Sequence, residues 1–95
     1  MTLPERRPVT DIPGVGLTFQ KDLARICIDN VEQLAGRDPG VLFGMLLNAN
    51  LEEERETHRN YLYMLRMCVY YADGGRDPEL LKWSAWSDRA LATRP

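Results

Sequence analysis

One histidine, His58, and two cysteines, Cys27 and Cys68, are all that this chain offers of the side chains that most often act as general base, thiol nucleophile or soft metal ligand. Neither cysteine has a Cys or His neighbour at metal-ligand spacing, so no metal site is expected and both are read as buried, reduced thiols in apolar helical surroundings. His58 stands beside Arg59 in a polar stretch and is assigned no role. The acidic residues Glu52, Glu53, Glu54 and Glu56 read as a solvated face rather than a cation site. Without a nucleophile beside a base, or a carboxylate cluster in metal-ligand surroundings, the chain is expected not to be an enzyme, and no cofactor or small-molecule substrate is expected.

Positive charge is also scarce. Twelve Lys and Arg stand against fourteen Asp and Glu, a net charge of −2, which is not the basic balance that helps many proteins hold nucleic acid. Residues 1–40 alone carry five basic and six acidic side chains. No run of about 18 apolar residues exists to cross a bilayer, and the two arginines near the N-terminus, Arg6 and Arg7, are not followed by the apolar core of a secretory signal. No membrane association is expected, and the expected location is the cytoplasm. No stretch alternates with the two-residue period of a half-buried strand. The expected fold class is therefore all-α, as a single domain over residues 1–95.

What the chain does have is a turn of unusual composition, Asp11-Ile12-Pro13-Gly14-Val15-Gly16, leading directly into a helical pattern. Pro13 fixes its own φ while glycine tolerates angles closed to other residues, so the chain can reverse here with amides pointing outward. A helix starting next to such a turn adds unpaired N–H groups and a partial positive charge, a combination that suits an anion. Gly14, Val15 and Gly16, with Lys21 and Arg25 on the following helix, are the candidate phosphate-binding residues. Contact through main-chain amides would be indifferent to base sequence. The other reading is that the glycines only permit a tight turn.

Pro4 and Pro8 allow at most a turn before this hairpin. A helix over about 17–26 buries Phe19, Leu23 and Ile26, with Thr18 as a candidate cap. Asp29 or Asn30 caps a short helix carrying Val31 and Leu34 and closed by Gly36; Asp38-Pro39 opens another with Val41, Leu42, Met45 and Leu46 on its apolar face. One long helix is expected from about 52 to 73, polar as far as Asn60 and apolar on almost every side from Tyr61 to Ala72, where Arg66 is the single charge. Such a helix must be buried nearly all round, either by the other helices or by a second copy of the chain. Tyr61, Met64, Cys68 and Tyr71 form the candidate dimer stripe, because Tyr and Met suit interfaces. Asp77-Pro78 opens a last short helix; Trp83 and Trp86 are read as clamps holding it to the core, and residues 89–95 as a frayed tail.

Three blocks in order, residues 11–16 (DIPGVG), 29–39 (DNVEQLAGRDP) and 66–83 (RMCVYYADGGRDPELLKW), resemble the bacterial pathogenicity-locus family of helix-hairpin-helix proteins, which includes mitomycin-resistance-like members. The resemblance covers about residues 9–88. It implies a SAM-like helix-hairpin-helix part over 9–48, followed over 51–88 by the long helix and a short Trp-containing helix. A similar hairpin with short helices occurs in the C-terminal domain of competence-regulator proteins. The chain departs from the family pattern at Asn60, where a cysteine is usual, and at Trp83-Ser84-Ala85-Trp86, where a Trp-Trp-Asn-Trp cluster is usual. Leu17 stands where helix-hairpin-helix proteins often carry Pro or Lys. The resemblance implies duplex DNA as a partner, bound weakly and with strong salt dependence given the thin charge. The alternative is a protein-interaction or homodimer module in which the hairpin is purely structural.

Overall fold

Helix starts follow the polar residues placed before them. In the computed structural model, which describes residues 7–93, the Gly40 N–H donates to Asp38 Oδ1 at 2.8 Å and Pro39 occupies the first turn of a helix, α2, that runs Pro39–Glu52. Asn30 and Gln33 form a reciprocal capping box, Gln33 N–H to Asn30 Oδ1 at 3.1 Å and Asn30 N–H to Gln33 Oε1 at 3.2 Å, around the 3-10 turn Val31–Leu34. Asp77 accepts from the Glu79 N–H at 3.0 Å at the 3-10 turn Pro78–Leu80. The preceding helix, α1 (Leu17–Arg25), differs: its cap is Gly16, which makes no side-chain bond, and Thr18 lies inside the helix instead of capping it. Ahead of it a single 3-10 turn, Val9–Asp11, carries the fully buried Val9.

Helix ends share one device. After α1, Cys27 takes φ +65° and the Ile28 N–H reaches back to Leu23 O at 2.9 Å. After α2, Glu54 takes φ +55° and the Arg55 N–H reaches Asn50 O at 2.8 Å. Helix α3 (Asn60–Ala72) ends the same way, with Gly74 at φ +106° and the Gly75 N–H on Tyr70 O at 2.9 Å. Each is a Schellman closure, in which one left-handed residue lets the chain satisfy the last carbonyls. Only the third uses glycine, the residue best suited to that angle. The second closure explains why the expected helix over 52–73 is two elements: α2 runs on to Glu52, turns at Glu54, and α3 starts at Asn60. The polar stretch between them has no apolar face to bury, so nothing in the core holds it helical.

Helix α3 sits at the centre, packed against α2, against the turn at 31–34 and against a 3-10 turn at Trp83–Trp86. Leu62, Leu65, Met67, Cys68 and Val69 are buried. Burial among apolar neighbours pushes the Cys68 thiol up to about 12. Cys27, expected to be buried as well, is exposed at its helix end.

The tyrosines around the rim of α3 are all packed against their own chain. Tyr61 stacks on Phe19 with ring centroids 5.7 Å apart, Tyr63 on Trp83 at 6.4 Å, and Tyr70 meets Trp86 at 5.3 Å. Tyr71 lies under the Arg76 guanidinium, 3.7 Å from the ring centroid. Each of these rings thus has a partner within its own chain. Helix α2 buries Leu42 and Leu46, but Val41 and Met45, expected on the same face, are 57% and 37% exposed. In place of a frayed tail from 89, α4 (Asp88–Thr93) begins with the Ala90 N–H on Ser87 Oγ at 3.0 Å; Arg94 and Pro95 lie outside the described residues. Among the described residues there is no strand, and no helix long and apolar enough to cross a membrane.

Candidate functional site

The turn before α1 is anchored by its apolar residues and open at its glycines. Ile12 and Val15 are buried, and the Val15 N–H closes the turn on Ile12 O at 3.0 Å. Val15 therefore contributes a core side chain and a spent amide. Gly14 takes φ +86°, a conformation that disfavours any side chain. Gly16 is extended, at φ −99°, and a Cβ there would meet nothing within 4 Å, so the fold itself does not require glycine at this position.

Among the described residues, the amides of Gly14 and Gly16 and those of Leu17, Thr18 and Phe19 in the first turn of α1 meet no acceptor, the first intrahelical bond being Gln20 N–H to Gly16 O at 3.0 Å. No carboxylate of the described residues occupies them. Lys21 is exposed one turn along α1 and makes no ion pair among the described residues. Leu17, 71% exposed, stands at the mouth of the turn.

Arg25, the other expected cation, is engaged elsewhere. Its guanidinium donates to Asn50 Oδ1 at 2.6 Å, pairs with Glu53 Oε2 at 3.0 Å and approaches Asp22 Oδ1 at 3.4 Å. Asn50 in turn donates to Thr57 Oγ1 at 2.6 Å. Buried Asp22 lies beside Tyr61, whose phenol is raised by burial and by that carboxylate. The network fastens the end of α1 to the end of α2 and commits the Arg25 guanidinium to it.

A second constellation, with no local sequence signal, gathers on Asp88. Arg59 donates to both its oxygens, Arg66 Nη1 to Oδ1 at 3.1 Å and the Tyr63 hydroxyl to Oδ2 at 3.1 Å; Arg66 also reaches Trp86 O at 2.8 Å. Hydrogen bonds from Arg59 first, then Arg66 and Tyr63, hold the Asp88 carboxyl well below the usual carboxylate range. These partners are 22 to 29 residues away in sequence. They fasten α4 and the Trp86 turn to α3. An adjoining open cleft of about 370 Å³, between Pro39, Val69, Tyr70, Trp86 and Leu91, is mostly apolar.

Of the candidate dimer stripe, Cys68 is fully enclosed, and Tyr61, Met64 and Tyr71 are half-buried against the core. His58 is exposed in the loop between α2 and α3. Among the described residues no three His, Cys, Asp or Glu side chains converge as a metal site would require.

One family model, described as pathogenicity locus, matches residues 5–91. No curated protein and no solved structure matches the chain.

Proposed function

For this chain, which belongs to the pathogenicity-locus family, we propose nonspecific binding of duplex DNA by a helix-hairpin-helix type of contact, outside any catalytic role and in the cytoplasm. Phosphate oxygens accept from the amides of Gly14 and Gly16 and from the first turn of α1, and Lys21 supplies the cation. The observation that supports this reading is the set of amides that meets no carboxylate acceptor among the described residues, with Lys21 exposed on the helix that follows and free of ion pairs among those residues. Arg25 is not part of the contact, since its donors are committed to Asn50, Glu53 and Asp22. With so few cations the affinity is low, and each neutralised phosphate contributes a slope of about −0.9 in log K against log salt.

Gly16→Asp separates binding from folding. Asp is a favoured cap, so its carboxylate takes the open amides of the first turn and stability stays level or rises by a few tenths of a kcal/mol, about 0.3. The same carboxylate repels phosphate. In fluorescence anisotropy with a labelled duplex at low salt, the native chain is expected to bind at high micromolar concentration, Lys21→Glu to weaken binding at least tenfold, and Gly16→Asp to abolish it. Native binding that survives both substitutions, or no native binding at low salt, overturns the proposal. The alternative, a structural hairpin in a protein-assembly module, is supported by the exposed apolar side chains of α2.

A further inference from the structure

Helix α2 presents a second face, opposite the one that holds Leu42 and Leu46. Val41 is 57% and Leu51 68% exposed there, with Met45, Asn48 and half-buried Gly44 between them. A Cβ on Gly44 would meet nothing within 4 Å, so the middle of the face is open. From Pro39 to Leu51 the helix carries no charged residue at all. An exposed helical face of this kind lacks the solvating charges that surface helices ordinarily carry.

Charges lie only at its two ends, Arg37 with the capping Asp38 before the first turn and Glu52, Glu53 and Glu54 after the last, where Glu53 is held by Arg25 and Arg55. Arg37 stands before the N-terminus, with one guanidinium nitrogen 3.9 Å from Met45 Sδ and no carboxylate partner among the described residues. Glu52 and Glu54 stand exposed at the C-terminus, likewise without an ion pair among the described residues. A two-fold axis through the middle of α2 would set two such helices antiparallel. Each Arg37 would then lie by the other copy's Glu52, the helix dipoles would oppose, and no like charges would meet in between.

We propose that α2 is a homodimer contact: a second copy of this chain docks antiparallel on the face of Val41, Met45 and Leu51, with reciprocal Arg37–Glu52 pairs at its ends. The proposal is independent of the nucleic-acid reading, since the turn before α1 takes no part in it. A helix of 14 residues is about 21 Å long, and one such crossing falls at the small end of protein interfaces, so the dimer is weak and forms at about 0.1–1 mM protein.

Sedimentation velocity across a concentration series on the full chain tests it. The native chain is expected to shift from monomer toward dimer. Val41→Glu and, separately, Met45→Lys are expected to weaken association at least tenfold while helical circular dichroism is unchanged, both positions being exposed. Arg37→Glu weakens it because two acidic ends then face each other, and Arg37→Glu with Glu52→Arg restores it, a rescue that only the antiparallel register provides. A monomer at every concentration overturns the proposal. So does a dimer indifferent to Val41→Glu and Met45→Lys, or one lost instead on substitution of Tyr71.

Discussion

Helices α2 and α3, 14 and 13 residues long and both rich in apolar side chains, are treated by the chain in opposite ways. Each tyrosine on the rim of α3 has a partner: Tyr61 the ring of Phe19, Tyr63 that of Trp83, Tyr70 that of Trp86, and Tyr71 the Arg76 guanidinium. Its one charge, Arg66, ends on Trp86 O and Asp88. Helix α2 is covered on one side only and leaves Val41, Met45 and Leu51 in solvent. Apolar content along a helix therefore does not say which helix will be left with bare surface. That depends on which segments return to cover it, and the C-terminal turns return to α3.

The largest expected effect on this comparison is in the core. Leu65 is fully buried on α3, so Leu65→Ala removes packed methyl groups and opens a cavity, costing about 2–5 kcal/mol, whereas Val41→Ala on the exposed face of α2 should change stability by less than about 0.5 kcal/mol. Urea unfolding of the two variants measures the contrast; equal losses would mean that α2 is as enclosed as α3.

A smaller effect should appear at Asp88. Its carboxyl titrates below the ordinary value near 3.8, so the stability it contributes is present in full above that pH and is lost as the solution is acidified through and below it. Thermal unfolding between about pH 2 and 7 should show a shallower acid decline for Asp88→Asn than for the native chain, together with a lower Tm at neutral pH. Because Asp88 is 43% exposed, added salt should narrow the difference. An identical acid decline in both proteins would break the link between α4 and α3.

The smallest effect concerns the junction that separates the two helices. Glu54 bears a side chain at φ +55°, and Glu54→Gly relieves that strain in the Schellman closure, raising stability by about 0.5–1 kcal/mol in chemical denaturation. A loss of stability would show that the Glu54 side chain does something there that the closure alone does not require.

Three of the element starts were legible because they are local, whereas Thr18, expected to cap α1, lies inside it, and α3 starts at Asn60 without a side-chain cap. Asp38-Pro39, Asn30 and Asp77-Pro78 each place a short polar side chain within reach of amides two or three residues ahead, and no distant partner is involved. The ends were legible only where glycine marked them. Gly74 announces the close of α3, but Glu54 and Cys27 adopt the same backbone angle without the residue that signals it, which hid the break between α2 and α3. The turn before α1 was legible as a chain reversal, whereas the engagement of its donors and cations was not. Sequence placed Gly14, Gly16 and Lys21 together; it could not show that the Val15 amide is spent on Ile12, or that Arg25 is held by Asn50 and Glu53 from another helix.

The helical class, the position of the turn and the caps at Asn30, Asp38 and Asp77 followed from the sequence, since these rest on interactions spanning a few residues and on the periodicity of apolar side chains. Tertiary structure alone decided that α3 is covered and α2 is not, that Asp88 collects Arg59, Tyr63 and Arg66, and that Arg25 is withdrawn from the turn. Those outcomes rest on contacts between residues from 16 to 42 positions apart, and nothing in the intervening sequence encodes the geometry at which distant segments meet.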